Sequence, residues 1–231
     1  AYPDGENWIT AYKTLVEALA QSNVAGQTEE IWIADGTYRT TTNTDRTNSF
    51  VISRGVKIYG GFTGNETVLS QRNADTNATI LSGEISDPMM SEDNAYHVIR
   101  VGQIVDTVLM DGFRICCGYA NLPGEETGGG IYIDATNTSI IQISDCVLTL
   151  NKAPDGSAIF NRSRLLIEDC LISNDPGAFI PGSLILNSGP SAELHITNSQ
   201  VTQLCPGCPE AIRNTGGAIM KVSASVIIDR Q

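Results

Sequence analysis

Three phrases of this 231-residue chain nearly repeat one another: IFNRS (Ile159–Ser163), ILNSG (Ile185–Gly189) and IRNTG (Ile212–Gly216). Their asparagines, Asn161, Asn187 and Asn214, lie 26 and 27 residues apart. A longer register surrounds them. GGGIYI (Gly128–Ile133), GSAIFN (Gly156–Asn161), GSLILN (Gly182–Asn187) and PEAIRN (Pro209–Asn214) each open a unit. Their central isoleucines, Ile131, Ile159, Ile185 and Ile212, are separated by 28, 26 and 27 residues. Self-similarity at such a period marks a chain built by stacking one small supersecondary unit on the next.

The unit is made of strands. Its apolar segments, such as IQISDCVLTL, LLIEDCLIS and LHITNSQVT, are β-branched and alternate with period two between Gly, Asn, Asp and Pro. One such unit cannot bury an apolar face alone, but stacked coils place equivalent side chains over one another about 4.8 Å apart. The spacing therefore predicts an all-β, right-handed parallel β-helix of about seven to nine coils, with Ile131, Ile159, Ile185 and Ile212 in one inward column. An asparagine ladder is expected at a tight turn, where Asn accepts the left-handed conformation and its amide bonds to neighbouring coils. Earlier strands are read in EEIWIADGTY, FVISRGVKIYGGF, ATILSG and YHVIRVGQIVDTVLMDGFRI, separated by polar loops at 39–49, 63–77, 84–95 and 117–127. Long loops on a stacked scaffold are where function is expected.

The first segment differs. Trp8, Tyr12, Leu15 and Leu19 recur at helical spacing, with Asn7 as the expected N-cap and Gly26 beyond the end. An amphipathic helix here would cover the open end of the first coil. The expected organisation is a cap over 1–27 and one β-helix over 28–231. At the other end, SASVIIDRQ still reads as strand with no capping unit, which predicts continuation or end-to-end association through the last coil.

A net charge of −12 argues against nucleic acid, whose phosphates need a basic face. No apolar run reaches the roughly 18 residues that cross a bilayer, so no membrane insertion is expected. The start, AYPDGENW, has no basic or apolar leader and is read as a mature or trimmed product, which suggests export.

Several segments carry a family resemblance: DGENWITAYKTLVEALAQ, EEIWIADGTYRTT, VKIYGGFTGNETVLSQRN, TILSGEISD, DNAYHVIRV, VLMDGFRICCG and GGGIYI. In this order the chain resembles exported bacterial proteins of the pectate-lyase-like superfamily, particularly polymorphic outer-membrane and adhesin-type surface proteins. The resemblance covers most of the chain and is strongest from Asp4 to about Leu171. It implies a β-helix, export and a cell-surface or extracellular location. It implies no reaction, because one fold hosts many functions.

Candidate chemistry is sparse. The Asp cluster with Arg of pectate lyases, and the Asn-Thr-Asp, Asp-Asp and His-Gly motifs of polygalacturonase-like enzymes, are missing. Asp111, Asp145 and Asp169, followed by Asn198, recur in related register; the choice lies between a carboxylate row for acid–base work and turn formers at a corner, and the latter is preferred. His97 and His195 are expected at the surface or at strand ends, with no zinc site or triad. Cys146 and Cys170 occupy equivalent places that Ser199 and Ser225 continue, as stacked buried thiols would; a rung-to-rung disulfide is the alternative. Cys116–Cys117 is a vicinal pair without assigned chemistry. Cys205 and Cys208, in CPGC, are read first as a loop-closing disulfide, with free thiols and a redox or metal role behind it. Glu84, Asp87, Glu92 and Asp93 fall close together in SGEISDPMMSEDNAY and form a candidate calcium site of hard oxygen ligands. No other cofactor is expected.

Two function classes follow. The first is a non-catalytic exported surface module, adhesin-like or structural, contacting a glycan or another surface protein. The alternative is a carbohydrate-active enzyme, a lyase or glycoside hydrolase, for which Arg54, Lys57, Arg100 and Arg114 would have to line a basic groove. Trp8 and Trp32 are expected in the cap and first coil.

Overall fold

The computed structural model describes residues 3–24, 30–134, 139–174, 182–205 and 207–229. The first coil contains β1 (Glu30–Ala34), β2 (Gly36–Arg39) and β3 (Phe50–Ile52); the second β4 (Val56–Phe62), β5 (Thr79–Ser82) and β6 (Ile99–Val101). The third is β7 (Val108–Asp111), β8 (Phe113–Cys116) and β9 (Ile131–Ile133); the fourth β10 (Ile140–Ser144), β11 (Val147–Thr149) and β12 (Ile159–Asn161). The fifth is β13 (Arg164–Glu168), β14 (Leu171–Ser173) and β15 (Ile185–Ser188); the sixth β16 (Glu193–Thr197), β17 (Gln200–Gln203) and β18 (Ile212–Thr215). A last, partial coil holds β19 (Ile219–Ser223) and β20 (Val226–Asp229).

Each strand from β1 to β17 pairs in parallel with the strand three places later, giving two seven-stranded sheets and one six-stranded sheet. This is a parallel β-helix. Strict three-strand periodicity follows from the register. Phe50, Ile99, Ile131, Ile159, Ile185 and Ile212 pair one above another in the third sheet. The first sheet contributes Ile58, Met110, Ile143, Ile167, Ile196 and Val222. The second contributes Leu81, Ile115, Leu148, Ile172, Val201 and Ile227. Interior members of these columns are buried. Each is worth about 1.5–3 kcal/mol by burial alone, so the stack is cooperative along its axis.

The cap differs in detail from the helix expected after Asn7. Asn7 caps only a short 3-10 turn, Trp8–Thr10, its Oδ1 accepting from the Ile9 and Thr10 amides. The α-helix, α1, runs over Leu15–Ser22. Thr14 is its N-cap, with Thr14 Oγ1 accepting from Glu17 N and Glu17 Oε2 accepting from Thr14 N, both at 3.2 Å. That reciprocal pair fixes the start three residues before Glu17. Leu15 and Leu19 are buried against the first coil, as the amphipathic spacing requires. Asn23 ties the helix to β3: its amide donates to Val51 O at 3.1 Å and its carbonyl accepts from Ser53 N at 3.0 Å. Trp8 and Trp32 both pack on Phe62, with ring centroids 5.5 and 4.8 Å away. Gly26 lies outside the described residues.

At the other end, Met220, Val222 and Ile227 lie over Leu194, Ile196 and Val201 and point inward, yet they are 41%, 42% and 37% exposed. Among the described residues nothing covers them.

The asparagine ladder forms, but not at a left-handed turn. Asn161 ends β12 and Asn187 is the last but one residue of β15, neither with positive φ, and the ladder joins the third sheet to the first across a corner. The left-handed residues lie at a different corner, described below.

Candidate functional site

From the third coil on, the chain turns between the first and second sheets through a single left-handed residue. That residue is Gly112, Asp145, Asp169, Asn198 or Ala224, with φ of 82°, 49°, 53°, 49° and 47°. Glycine, asparagine and aspartate are the residues that enter the left-handed region at least cost. This corrects the register read from the sequence. Asp111 pairs with Ser144 and sits one place earlier, so the corner row is Gly112, Asp145, Asp169 and Asn198 rather than Asp111, Asp145 and Asp169. Asp111 instead holds an ion pair with the Arg72 guanidinium, which also donates to Gly60 O at 3.1 Å. Arg72 and Ala74 occupy the space a side chain at position 112 would need, so the third coil requires glycine there.

The residue after the corner points inward. In successive coils it is Cys146, Cys170, Ser199 and Ser225, as the sequence suggested. Each side chain donates back to the carbonyl two residues earlier: Cys146 to Ser144 and Cys170 to Glu168, both at 3.1 Å, Ser199 to Thr197 at 2.8 Å and Ser225 to Ser223 at 2.7 Å. The hydroxyls of Ser199 and Ser225 also accept the amides of Cys170 and Ser199. Thiol and hydroxyl are interchangeable here because the position needs a small donor. Cys146 and Cys170 are buried free thiols. Burial, then the neighbouring Cys170 side chain, pushes the Cys146 thiol well above its usual range.

Over this corner lies the connection between β4 and β5. Asn73 N donates to Gly61 O at 2.8 Å, which seats the loop on the second coil. A groove of about 520 Å³ runs from Ala74 and Asp75 down past Asp145, Asp169 and Asn198 to Ala224. Arg114 and Gln200 form its second-sheet wall. Arg114 is exposed and has no hydrogen bond or ion pair among the described residues. Asp145 is pushed up from its usual range, first by desolvation and then by the carboxylates of Asp111, Asp75 and Asp169; Arg72 opposes this. Asp169 accepts from the Asn198 amide. The groove therefore sets the Asp145 carboxyl beside Asp75 and Asp169 on one side and the Arg114 guanidinium on the other.

The basic groove that the enzyme reading would need does not form from these four residues. Lys57 lies on the first sheet, paired with Glu30 at 3.3 Å; Arg100 lies on the third and Arg114 on the second. Arg54 donates to Ser22 O and holds the cap. One face cannot carry all four, because a three-sheet solenoid separates them.

His97 is not a surface residue. It is 2% exposed, its Nδ1 lies 2.9 Å from Gly128 O, and its Nε2 lies 3.4 Å from Glu125 Oε2. Arg100 shares that carboxylate at 3.1 Å and stacks 4.8 Å over the Tyr132 ring, which packs on His97 and Phe160. Burial lowers the His97 pKa, against the Gly128 carbonyl, with Arg100 adding to the lowering and Glu125 opposing it. Nothing local in AYHVIR signals this. His195 lies on β16 and alternates outward between buried Leu194 and Ile196, as expected.

Three of the four polar loops join the second sheet to the third, and Arg46 binds them together. It donates to Asn94 O (2.6 Å), Tyr119 O (3.1 Å) and Asn121 Oδ1 (2.8 Å), and stacks 4.2 Å over Tyr96. In the acidic loop, Asp93 Oδ2 accepts from Asp87 N at 3.0 Å. Burial pushes the Glu84 carboxyl up, reinforced by Asp93 and Asp87 and opposed by Arg39. Glu92 is exposed. Among the described residues no three His, Cys, Asp or Glu side chains are placed to hold one metal ion. Cys205 and Cys208 form a disulfide.

No family model, curated protein or solved structure matches this chain.

Proposed function

We propose that this chain is a non-catalytic module of an exported surface protein, adhesin-like or structural, that extends end to end through its last coil. One observation carries this reading. The first coil is closed by α1, whereas the last presents inward-pointing Met220, Val222 and Ile227 and the unpaired edges of β19 and β20. Open parallel edges of this kind recruit another strand. A second copy related by a two-fold axis would set β19 antiparallel to its counterpart and bury the same apolar set twice, a self-complementary contact. The result is a rigid rod whose long faces display loops, which suits a spacer or adhesive surface. Export draws support from the resemblance noted above and from the Cys205–Cys208 disulfide, since disulfides persist in oxidising compartments.

The test is the molar mass in solution across a concentration series, read by light scattering or analytical ultracentrifugation. The reading predicts a concentration-dependent dimer that Val222→Glu abolishes while far-UV circular dichroism stays unchanged. A strict monomer at millimolar concentration refutes the end-to-end contact.

A second reading, a carbohydrate-active enzyme, is favoured by the corner groove alone, where Asp145 is held toward its protonated form beside Asp75, Asp169 and Arg114. General acids are tuned in this way. New reducing ends or unsaturated products from pectin, polygalacturonate or alginate, lost in Asp145→Asn, would establish it. The first reading expects no such products.

A further inference from the structure

The vicinal cysteines stand apart from the other thiols. Cys146 and Cys170 are buried and each donates to a backbone carbonyl. Cys205 and Cys208 are joined. Cys116 and Cys117 are free and half-buried, and their sulfurs lie 3.0 Å apart in an S–H···S contact. That is too long for a bond and inside ordinary van der Waals separation, so the two atoms are already pressed together.

The backbone holds them so. Cys116 closes β8 between Ser82 and Thr149 of the adjoining strands. Cys117 then turns with φ 67°. The chain on either side cannot retreat: a side chain on Gly83 would strike the Cys117 carbonyl, and one on Gly118 would strike Gly129. Arg39 stands two strands away in the same row, paired with Ser82, and donates to Glu84 O at 3.2 Å.

We propose that Cys116 and Cys117 form a thiol–disulfide exchange site that takes a small-molecule disulfide and closes to a vicinal disulfide. Cys117 is the attacking sulfur. Either thiol can donate across the contact: Cys117 does so when both are protonated, and Cys116 when Cys117 is ionised. The latter bond is the chief cause holding the Cys117 thiol down to about 7, burial opposes it, and Ser82 and Arg39 add to the lowering. The same arrangement pushes the Cys116 thiol up and keeps its proton in place. A thiol with pKa near ambient pH is the effective nucleophile in such exchange.

The step balances as follows. The Cys117 thiolate attacks one sulfur of the external disulfide, whose S–S bond breaks and expels one thiolate. Cys116 gives up its proton to that thiolate and attacks the Cys117 sulfur, breaking the mixed disulfide and releasing the second thiolate, which takes a proton from solvent. The two cysteines lose two electrons and the external disulfide gains them. The half-buried setting among stacked loops favours a small disulfide over a protein one.

The experiment exposes the full folded chain to glutathione disulfide and maps modified peptides by mass spectrometry. Wild type is expected to lose two hydrogens from the peptide carrying Cys116 and Cys117 and to retain no glutathione. Cys116→Ser lacks the resolving sulfur and is expected to hold one glutathionyl group on Cys117, while Cys117→Ser acquires none. Far-UV circular dichroism confirms that both variants fold. The proposal is overturned if the folded wild-type pair stays reduced in excess oxidant, if a stable glutathione adduct accumulates in place of the vicinal bond, or if Cys116 carries the adduct. These outcomes are independent of whether the last coil dimerises.

Discussion

Asn161 donates through its side-chain amide to Oδ1 of Asn187 at 2.7 Å, inside a corner where both residues are fully buried. Asn187 passes the pattern on to Asn214 Oδ1 at 2.6 Å and to Ile219 O at 2.9 Å. Asn161 also accepts from Ser163 N and donates to Ser163 O and Glu193 O. An amide alone can accept from one coil and donate to the next at the same position, and this is why the sequence repeats asparagine there.

Asn187→Ala is therefore expected to lower stability by about 1–3 kcal/mol, since it strands the buried Asn161 amide donor, whereas the Asn214 and Ile219 acceptors it also releases lie on exposed residues. Asn187→Asp should cost at least as much at neutral pH, because a carboxylate faces two acceptors it cannot donate to. Asn214→Ala should cost less, because Asn214 is exposed. Urea denaturation of the three variants measures the order. Equal losses at positions 187 and 214 would contradict a buried ladder.

The loop over the corner groove depends on Glu66, and this gives a pH prediction. Its carboxylate accepts from Thr63 N at 2.7 Å, from Thr63 Oγ1 at 2.9 Å, and from Gly64 N and Asn65 N at 3.0 Å. Burial pushes the carboxyl up, but these donors outweigh it and hold the pKa at about 2 against an ordinary 4.5. A depressed folded pKa contributes stability that is complete above the unfolded value and lost as pH falls. The contribution of Glu66 should be intact above pH 4.5 and decline toward pH 2. Glu66→Gln should be less stable than wild type at pH 7, and the difference should shrink on acidification. Thermal melts at pH 7, 4 and 2 read this directly.

The columns were legible in the sequence because period-two alternation and a fixed repeat leave little freedom. Ile131, Ile159, Ile185 and Ile212 stack as their spacing demands, and Cys146, Cys170, Ser199 and Ser225 share one place. Asp111 was misregistered because matching aspartate to aspartate ignores which residue takes the left-handed φ; Gly112, next to it, was the informative letter. The start of α1 had a local signal that outranks Asn7, the Thr14 and Glu17 capping box. The groove and the burial of His97 had none. Both depend on where long loops settle across coils, and Gly61, Asn73, Gly128 and Glu125 meet them only in three dimensions.

The inward thiols make a contrasting chemical prediction. Cys146 is buried, its thiol is pushed well above the usual range, and its proton is committed to Ser144 O. It should resist iodoacetamide at pH 8 until the chain unfolds, whereas Cys117 should react in the folded state. Cys170→Ser should cost less than about 1 kcal/mol, because Ser199 makes the same bond one coil away. Cys170→Leu should cost about 1–3 kcal/mol through overpacking. Timed alkylation with peptide mapping and urea melts decide these.

The last prediction concerns the carboxylates of the groove. Asp145 and Asp169 occupy the same left-handed corner in consecutive coils, about 4.8 Å apart along the stack. Asp145 is held above its usual range by desolvation first and by Asp111, Asp75 and Asp169 after it. A raised folded pKa contributes stability below the unfolded value and loses it as pH rises through the folded one, so at neutral pH the ionised Asp145 is a small liability. Asparagine already fills the equivalent place at Asn198 and suits a φ near 49°. Asp145 is exposed, so solvent screens most of this cost; Asp145→Asn is thus expected to be slightly more stable than wild type at pH 7, with the gain vanishing as the carboxyl is protonated on acidification. Asp169→Asn should in turn lower the Asp145 pKa toward its ordinary value, because it removes a like charge one coil away. Carboxyl NMR titration of wild type and Asp169→Asn reads that shift, and an unchanged Asp145 titration would show that desolvation, Asp111 and Asp75 set it without Asp169.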